Sequence, residues 1–214
     1  MEQKNIFISV GTPATKEQED FIVAVETRLR SEGLIPNTVG RNMFSIDSPL
    51  KTIDDLMNNC CGVFIIALER TYFPKGFAKR GGTEESVLKD TKYPTTWNQI
   101  EAAMAYAKKM PLMVIVEEGL KSEGLLSKRY DWYVLSLKPV KESLLTSTFN
   151  GLLSSWKQKI ELYKKQEPEK KIDPDNLTIG EIVKNLKVSH FWGLLAALVT
   201  LITGAFAFGK FLNF

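Results

Sequence analysis

One acidic side chain, Glu101, is distinguished by its place on a predicted helix. Residues 97–109 carry apolar side chains at helical spacing, with Glu101 in the second turn at the edge of the inward face. The residues expected on that inward face are Trp97, Ile100, Met104 and Ala107. A carboxylate in this position is able to stabilise positive charge on a sugar carbon, or to attack that carbon. The alternative is a boundary glutamate that reaches solvent or pairs with Lys108 or Lys109.

The connection that precedes this helix is rich in aromatic and basic side chains. Residues 69–96 separate a predicted strand from the helix, and a connection of 28 residues is far longer than usual. Long loops at the carboxyl end of a strand often act as lids or binding loops. Aromatic rings and arginines, such as Tyr72 and Arg70, suit a nucleotide base and its phosphates. The alternative is a surface insertion that is tolerated without a function.

Two further loops follow predicted strands and supply candidate ligand contacts. Gly11 and Thr12 lie between the first strand and a helix N-terminus, where backbone N–H groups can hold a phosphate. This segment matches neither G-x-G-x-x-G nor the Walker sequence, so a capped turn is the alternative. Arg41, Phe44 and Ser45 lie in the loop after the second strand, where contact with the same ligand and an ordinary loop are both open readings.

Short apolar runs alternate with amphipathic segments and would position these candidate residues. Strands are predicted at residues 5–10, 34–39, 63–68, 112–116 and 132–137. Helices are predicted at residues 15–31, from residue 49, at 97–109 and at 144–165. Continuously apolar inner strands are typical of a parallel sheet that is covered on both faces. We therefore expect a flavodoxin-like α/β fold, an open and mostly parallel sheet with helices on both faces, and any ligand outside the carboxyl ends of the strands.

Composition and charge exclude several classes of function. The chain has 214 residues and a net charge of +3, from 28 basic and 25 acidic side chains. That balance argues against a dedicated nucleic-acid binder, so no nucleic-acid partner is expected. A single histidine, His190, makes a His-dependent triad or a His-rich metal site implausible, and no metal site is predicted. The two cysteines, Cys60 and Cys61, are adjacent and form no disulfide framework.

The C-terminal part of the chain has a separate character. Residues 188–209 lack Asp, Glu, Lys and Arg, and as a helix they would be about 33 Å long, enough to cross a hydrocarbon core of about 30 Å. We expect a single transmembrane helix at 188–210; the alternative is a hydrophobic helix packed into a soluble core. The basic residues before it outnumber those after it, which predicts that the N-terminal domain faces the cytoplasm. These basic residues are Lys170, Lys171, Lys184 and Lys187 before the span and Lys210 after it.

The distribution of apolar, charged and proline residues divides the chain into four parts. Residues 1–145 are predicted to form the α/β domain, and 146–166 an amphipathic helix that closes it. Residues 167–187 contain two prolines among charged side chains and are predicted to be a linker to the span at 188–210.

Three stretches of the first 137 residues resemble TIR (Toll/interleukin-receptor) domains and their relatives, the nucleoside 2-deoxyribosyltransferases. The first comprises Ile6-Phe7-Ile8-Ser9 and the following helix as far as Gly33-Leu34; the second is the apolar run 63–68. The third is Thr96-Trp97-Asn98-Gln99-Ile100-Glu101, followed by Ala105 and Pro111-Leu112. In TIR enzymes a helix glutamate acts on the ribosyl bond of NAD, and in the transferases the matching glutamate attacks the sugar carbon.

The resemblance implies an activity and a set of site residues. Glu101 would be the catalytic carboxylate and Trp97 would shape the pocket, while residues 9–12, beginning with Ser9, and residues 41–45 would border the ligand. NAD would then be a substrate rather than a cofactor, no metal would be required, and the protein would be a homo-oligomer that acts as a bacterial defence effector. Three residues remain candidates for the second acidic residue of the transferases: Glu84, Glu85 and Asp90. The alternative is a non-catalytic module that senses a nucleotide or binds a protein partner.

Overall fold

The structure is a computed structural model. It describes residues 4–121, 123–127 and 132–164, together with residues 192–193, 195–196, 199–200 and 203–204. The chain divides into two compact units, residues 1–166 and 167–214. The fold and the candidate site belong to the first unit.

The first unit is built from parallel strands that alternate with helices. The strands are β1 (Lys4–Val10), β2 (Leu34–Asn37), β3 (Val63–Ala67), β4 (Thr71–Ala78), β5 (Ser86–Tyr93), β6 (Leu112–Glu117) and β7 (Val134–Leu137). The helices are α1 (Lys16–Ser31), α2 (Pro49–Asn58), α3 (Thr96–Ala107) and α4 (Ser147–Lys164). Two of the predicted helix starts are confirmed: Thr15 caps α1, with its side chain accepting from the Gln18 N–H, and Pro49 opens α2.

The central sheet has five strands in the order β2-β1-β3-β6-β7, and every neighbouring pair is parallel. This is the flavodoxin-like strand order, and the prediction of a parallel α/β sheet is confirmed. β3 is buried along its whole length because it lies in the middle of the sheet under helices on both faces. The strand order reverses between β1 and β3, so their carboxyl ends are where a crevice for a ligand is expected.

Two apolar layers cover the sheet. On one face α1 and α4 pack against β1 and β3 through a core that includes Phe21, Leu29, Phe149, Trp156, Ile6 and Phe64. On the other face α2 and α3 pack through a core that includes Ile53, Met57, Ala102, Ala105, Phe7 and Ile65. Side chains of β1 alternate between the layers, which places Phe7 and Ser9 toward the α2–α3 face.

The long connection at residues 69–96 is not a loop, and this interpretation is corrected. Most of it forms an antiparallel hairpin, β4 and β5, which lies outside the central sheet. The hairpin escapes prediction because its side chains are mostly exposed on both faces, so the strands lack the alternation that marks a half-buried strand. Pro74 also lies within β4, where it has no N–H to donate to the ladder, and a proline argues against a strand in the sequence.

The inward face of α3 is also different from the predicted one. Its buried residues are Asn98, Glu101, Ala102 and Ala105. Trp97 is 40% exposed, so the prediction that it leads the inward face is wrong. Ala102 and Ala105 belong to the core on this side of the sheet with Met104 packed partly buried against it, whereas the bulky side chains of Trp97 and Tyr106 are exposed. The N-cap is Thr95, whose hydroxyl accepts from the Trp97 N–H.

The predicted transmembrane helix is not supported. Among the residues that the structure describes, no helix is long and apolar enough to cross a membrane. Within the predicted span, the described residues are helical, and the Thr200 hydroxyl donates to the Ala196 carbonyl. The rest of 188–210 and the predicted linker at 167–187 lie outside the described residues, and so do the lysines that predicted the orientation.

Two glycines provide a matched test of how tightly α4 packs. A Cβ at Gly62 would lie 3.0 Å from Ile160 and 3.1 Å from Trp156, whereas a Cβ at Gly151 would meet nothing within 4 Å. We expect Gly62→Ala to lower the free energy of unfolding by about 1–3 kcal/mol through overpacking. Gly151→Ala should raise it by about 0.5–1 kcal/mol because Gly151 is inside a helix. Urea unfolding measures both, and a Gly62→Ala variant as stable as the wild type would contradict this packing.

Candidate functional site

Glu101 and Ser9 meet under α3 at the carboxyl edge of the sheet. Glu101 is in the second turn of α3 and is 7% exposed; Ser9, one residue before the end of β1, is 1% exposed. The Ser9 side chain lies close enough to the Glu101 carboxyl group to influence its pKa. The sequence predicted both residues for the site, but it placed Glu101 at the edge of a helix face, and the structure buries it.

Burial changes the proton affinity of Glu101. Removal from water raises the pKa of this carboxyl group from an ordinary 4.5 to about 7, although the hydrogen bond from Ser9 acts in the opposite direction. Near neutral pH the side chain is therefore present in both its protonated and its ionised form. Such a group is suited to acid–base or nucleophilic chemistry, and carboxylates with raised pKa values are frequent in active sites.

Asn98 lies one helical turn before Glu101 and belongs to the same buried cluster. Its side chain is 1% exposed, and Nδ2 donates to the Ser9 hydroxyl oxygen at 2.8 Å and to the Ser9 carbonyl at 3.3 Å. Its Oδ1 is buried without a hydrogen-bond partner. Asn98 is not among the residues predicted for the site, although its spacing of three from Glu101 places the two on one side of a helix.

The loop after β1 packs closely against the start of α3. A Cβ at Gly11 would lie 3.2 Å from the Thr95 side chain, so glycine permits this close approach. The Thr12 carbonyl accepts a hydrogen bond from Arg70 Nη1 at 3.2 Å. The structure therefore brings three predicted residues, Gly11, Thr12 and Arg70, together beside the N-terminus of α3.

Trp97 stands above Glu101 on α3. The two residues are four positions apart, so their side chains share one side of the helix. With Glu101 buried and Trp97 partly exposed, the indole lies nearer to solvent than the carboxyl group. This placement differs from the predicted position on the inward face, and the expectation that Trp97 shapes the pocket stays a prediction.

The loop after β2 directs its predicted residues elsewhere. The Arg41 guanidinium makes ion pairs with Glu19 at 2.8 Å and Glu26 at 3.2 Å, both on α1. These partners raise the pKa of Arg41, mainly through the hydrogen bonds to Glu19. Phe44 is 78% exposed, and the Ser45 hydroxyl accepts from a backbone N–H within its own loop. In the part of the chain that the structure describes, none of these three side chains hydrogen-bonds to Glu101.

The hairpin forms a groove on a different side of α3. The groove has a volume of about 530 Å³ and is lined mainly by Phe73, Phe77, Leu88, Tyr93, Gln99 and Lys121. Neither Glu101 nor Ser9 lines it. Tyr72, the remaining predicted binding residue, lies on the hairpin, where its hydroxyl donates to the Asp90 carboxylate at 2.5 Å.

The fold and the site define an α/β protein with a buried, readily protonated glutamate beside the strand-order switch. Within the described ranges, no three His, Cys, Asp or Glu side chains are grouped so that they could hold a metal ion. No protein-family model matches the chain, and the search of curated proteins found no similar sequence.

Proposed function

We propose that the protein is an enzyme that cleaves the N-glycosidic bond of NAD or a related nucleotide, with Glu101 as its catalytic carboxylate. The observation that carries the proposal is the environment of Glu101: its carboxyl group is buried beside Ser9, and removal from water raises its pKa to about 7. The resemblance of residues 96–101 to the helix glutamate motif of TIR and deoxyribosyltransferase proteins supports the same role.

The chemistry requires a negative group next to a developing positive charge. When the bond between C1′ and the nicotinamide nitrogen breaks, its electron pair stays on nitrogen, nicotinamide leaves as a neutral molecule and the sugar becomes cationic. An ionised carboxylate in an apolar site stabilises such a cation strongly, or bonds to C1′ as a nucleophile. Water then adds its oxygen to C1′ and gives up a proton, which Glu101 is able to accept.

Access to Glu101 is part of this proposal. At 7% exposure the carboxyl group is almost covered in the free protein, so the sugar has to displace side chains near Trp97 to reach it. The free protein is then expected to turn over slowly, and turnover should increase under conditions that open this region.

The direct test is NAD consumption by the purified full-length chain at high protein concentration. Chromatography should show equal amounts of nicotinamide and ADP-ribose with the wild type and neither product with Glu101→Gln. Glu142→Gln is the matched control, because Glu142 is exposed, lies outside α3 and should retain wild-type turnover. Wild-type protein that binds NAD but releases no nicotinamide would contradict the catalytic proposal.

A nucleotide-sensing module is the second candidate, and the groove under the hairpin favours it. The groove has the size of a small-molecule site and presents aromatic rings, while Glu101 lies outside it. In that case NAD or another nucleotide should stabilise the protein against heat in both wild-type and Glu101→Gln forms. Phe77→Ala should then abolish the stabilisation, which a catalytic site at Glu101 does not predict.

A further inference from the structure

The amide group of Asn98 has a defined orientation. Its Nδ2 is 3.3 Å from the Ser9 carbonyl and 2.8 Å from the Ser9 hydroxyl oxygen. Turning the amide over would bring Oδ1 against the carbonyl oxygen, and two acceptors would face each other. Nδ2 is therefore the atom that faces β1, and the Ser9 hydroxyl oxygen accepts a hydrogen bond from it.

This orientation determines the direction of the next hydrogen bond. A serine hydroxyl has one hydrogen to donate. Because its oxygen already accepts from Asn98, the hydrogen of Ser9 is free for another acceptor, and the Glu101 carboxyl group, one turn after Asn98 on the buried side of α3, is the group whose pKa Ser9 lowers. We propose that Asn98 is a positioning residue: it holds the Ser9 hydroxyl as a donor to Glu101 and so orients the carboxylate. The effect of Asn98 on turnover rests on the function proposed above.

The unpaired oxygen of Asn98 supports a role beyond packing. Asn98 Oδ1 is buried and finds no hydrogen-bond partner among the described residues, which costs stability. An apolar side chain of similar volume would avoid that cost at a position only 1% exposed. The amide donors are the feature of Asn98 that such a side chain would lack, and both of them are directed at Ser9.

Charged side chains on two of the elements packed against α3 have other partners. Among the elements packed against α3, α2 presents Asp54, which is ion-paired with Lys108 of α3. The last residue of β6, Glu117, accepts from the Glu69 N–H at 2.8 Å. The pKa of Glu101 responds to burial and to the hydrogen bond with Ser9, so a change at Asn98 should reach it through Ser9.

A double-mutant cycle on the full-length chain tests whether Asn98 acts on Glu101 through the Ser9 hydroxyl. The variants are Asn98→Leu, Ser9→Ala and the combination, and the readout is the pKa of Glu101 from the NMR titration of its side-chain carboxyl carbon, assigned with Glu101→Gln. We expect Ser9→Ala to raise the pKa by about one unit and Asn98→Leu by about half a unit or more. The double variant should match Ser9→Ala alone, because Asn98 acts through the hydroxyl.

The proposal would be overturned if Asn98→Leu shifted the pKa of Glu101 equally in the wild type and in Ser9→Ala. It would also be overturned if Asn98→Leu left this pKa unchanged in the wild type. Asn98→Ala replaces Asn98→Leu if the larger side chain prevents folding. Gln99→Ala is the matched control: it removes an amide that anchors α3 to residues 123 and 125, and it should leave the pKa unchanged.

The same variants separate this inference from the proposed function. The titration needs no substrate, so a coupled pKa shift without NAD cleavage would contradict the function alone. If the wild type is active, kcat of Asn98→Leu should fall while the midpoint of its pH profile rises with the pKa of Glu101. A fall in kcat at an unchanged midpoint would indicate a merely structural role.

Discussion

Glu101→Gln is expected to lower the rate of NAD cleavage by about 10³-fold or more while the protein remains folded. Glutamine has the same shape and is able to accept the hydrogen bond from Ser9, so the packing under α3 is kept. It cannot carry the negative charge that stabilises the sugar cation, nor bond to C1′ and leave again. The measurement is nicotinamide release at saturating NAD, with folding checked by circular dichroism.

Glu101→Asp refines this prediction. The carboxylate is retained but lies about one methylene farther from the sugar, so activity should fall between that of the wild type and that of Glu101→Gln. Loss of activity in Glu101→Gln and retention in Glu142→Gln would assign the effect to this one carboxyl group. A Glu101→Gln enzyme with more than a tenth of wild-type activity would show that the catalytic carboxylate lies elsewhere.

The same substitution should change how stability depends on pH. Glu101 has a pKa of about 7 in the folded protein against an ordinary 4.5, so folding favours its protonated form. The contribution of Glu101 to the free energy of unfolding is fully present below pH 4.5 and is lost as the pH rises to about 7. Above that pH the free energy of unfolding no longer changes through this group. At about 1.4 kcal/mol per pKa unit, the loss amounts to about 3 kcal/mol.

The comparison with Glu101→Gln isolates this contribution from that of other carboxylates. Glu19 and Glu32, whose pKa values are lowered by basic partners, affect both proteins equally. Urea unfolding between pH 4.5 and 8 should show the wild type losing about 3 kcal/mol relative to Glu101→Gln, with most of the change before pH 7. A constant difference across this range would mean that Glu101 is solvated, and the proposed function would lose its main support.

Local sequence patterns were sufficient for the sheet and for several helix ends. The apolar run at 63–68 predicted a strand covered on both faces, and β3 is fully buried in the centre of a parallel sheet. Thr15 and Pro49 marked the starts of α1 and α2 correctly, because capping and the geometry of proline involve only neighbouring residues. Glu101 became a candidate through its place in the second turn of a predicted helix and through the resemblance of residues 96–101.

The tertiary structure alone decided the environment of that glutamate. The rotation of α3 about its axis depends on how closely Ala102 and Ala105 approach the sheet, and periodicity instead selected the face led by Trp97. Arg41 was predicted as a ligand contact, but its charge is satisfied by two carboxylates of α1 that only the fold brings near. The hairpin was missed because both of its faces are exposed.

The sequence by itself therefore determined which segments become the helices and the strands of the central sheet, and which carboxylate is a candidate for chemistry. Those properties depend on residues a few positions apart. The contact between Asn98 and Ser9 joins residues 89 positions apart in the chain, and it exists only when α3 lies across the end of β1. The raised pKa of Glu101 has the same origin, since burial is a property of the packed layers and not of the helix that carries the side chain.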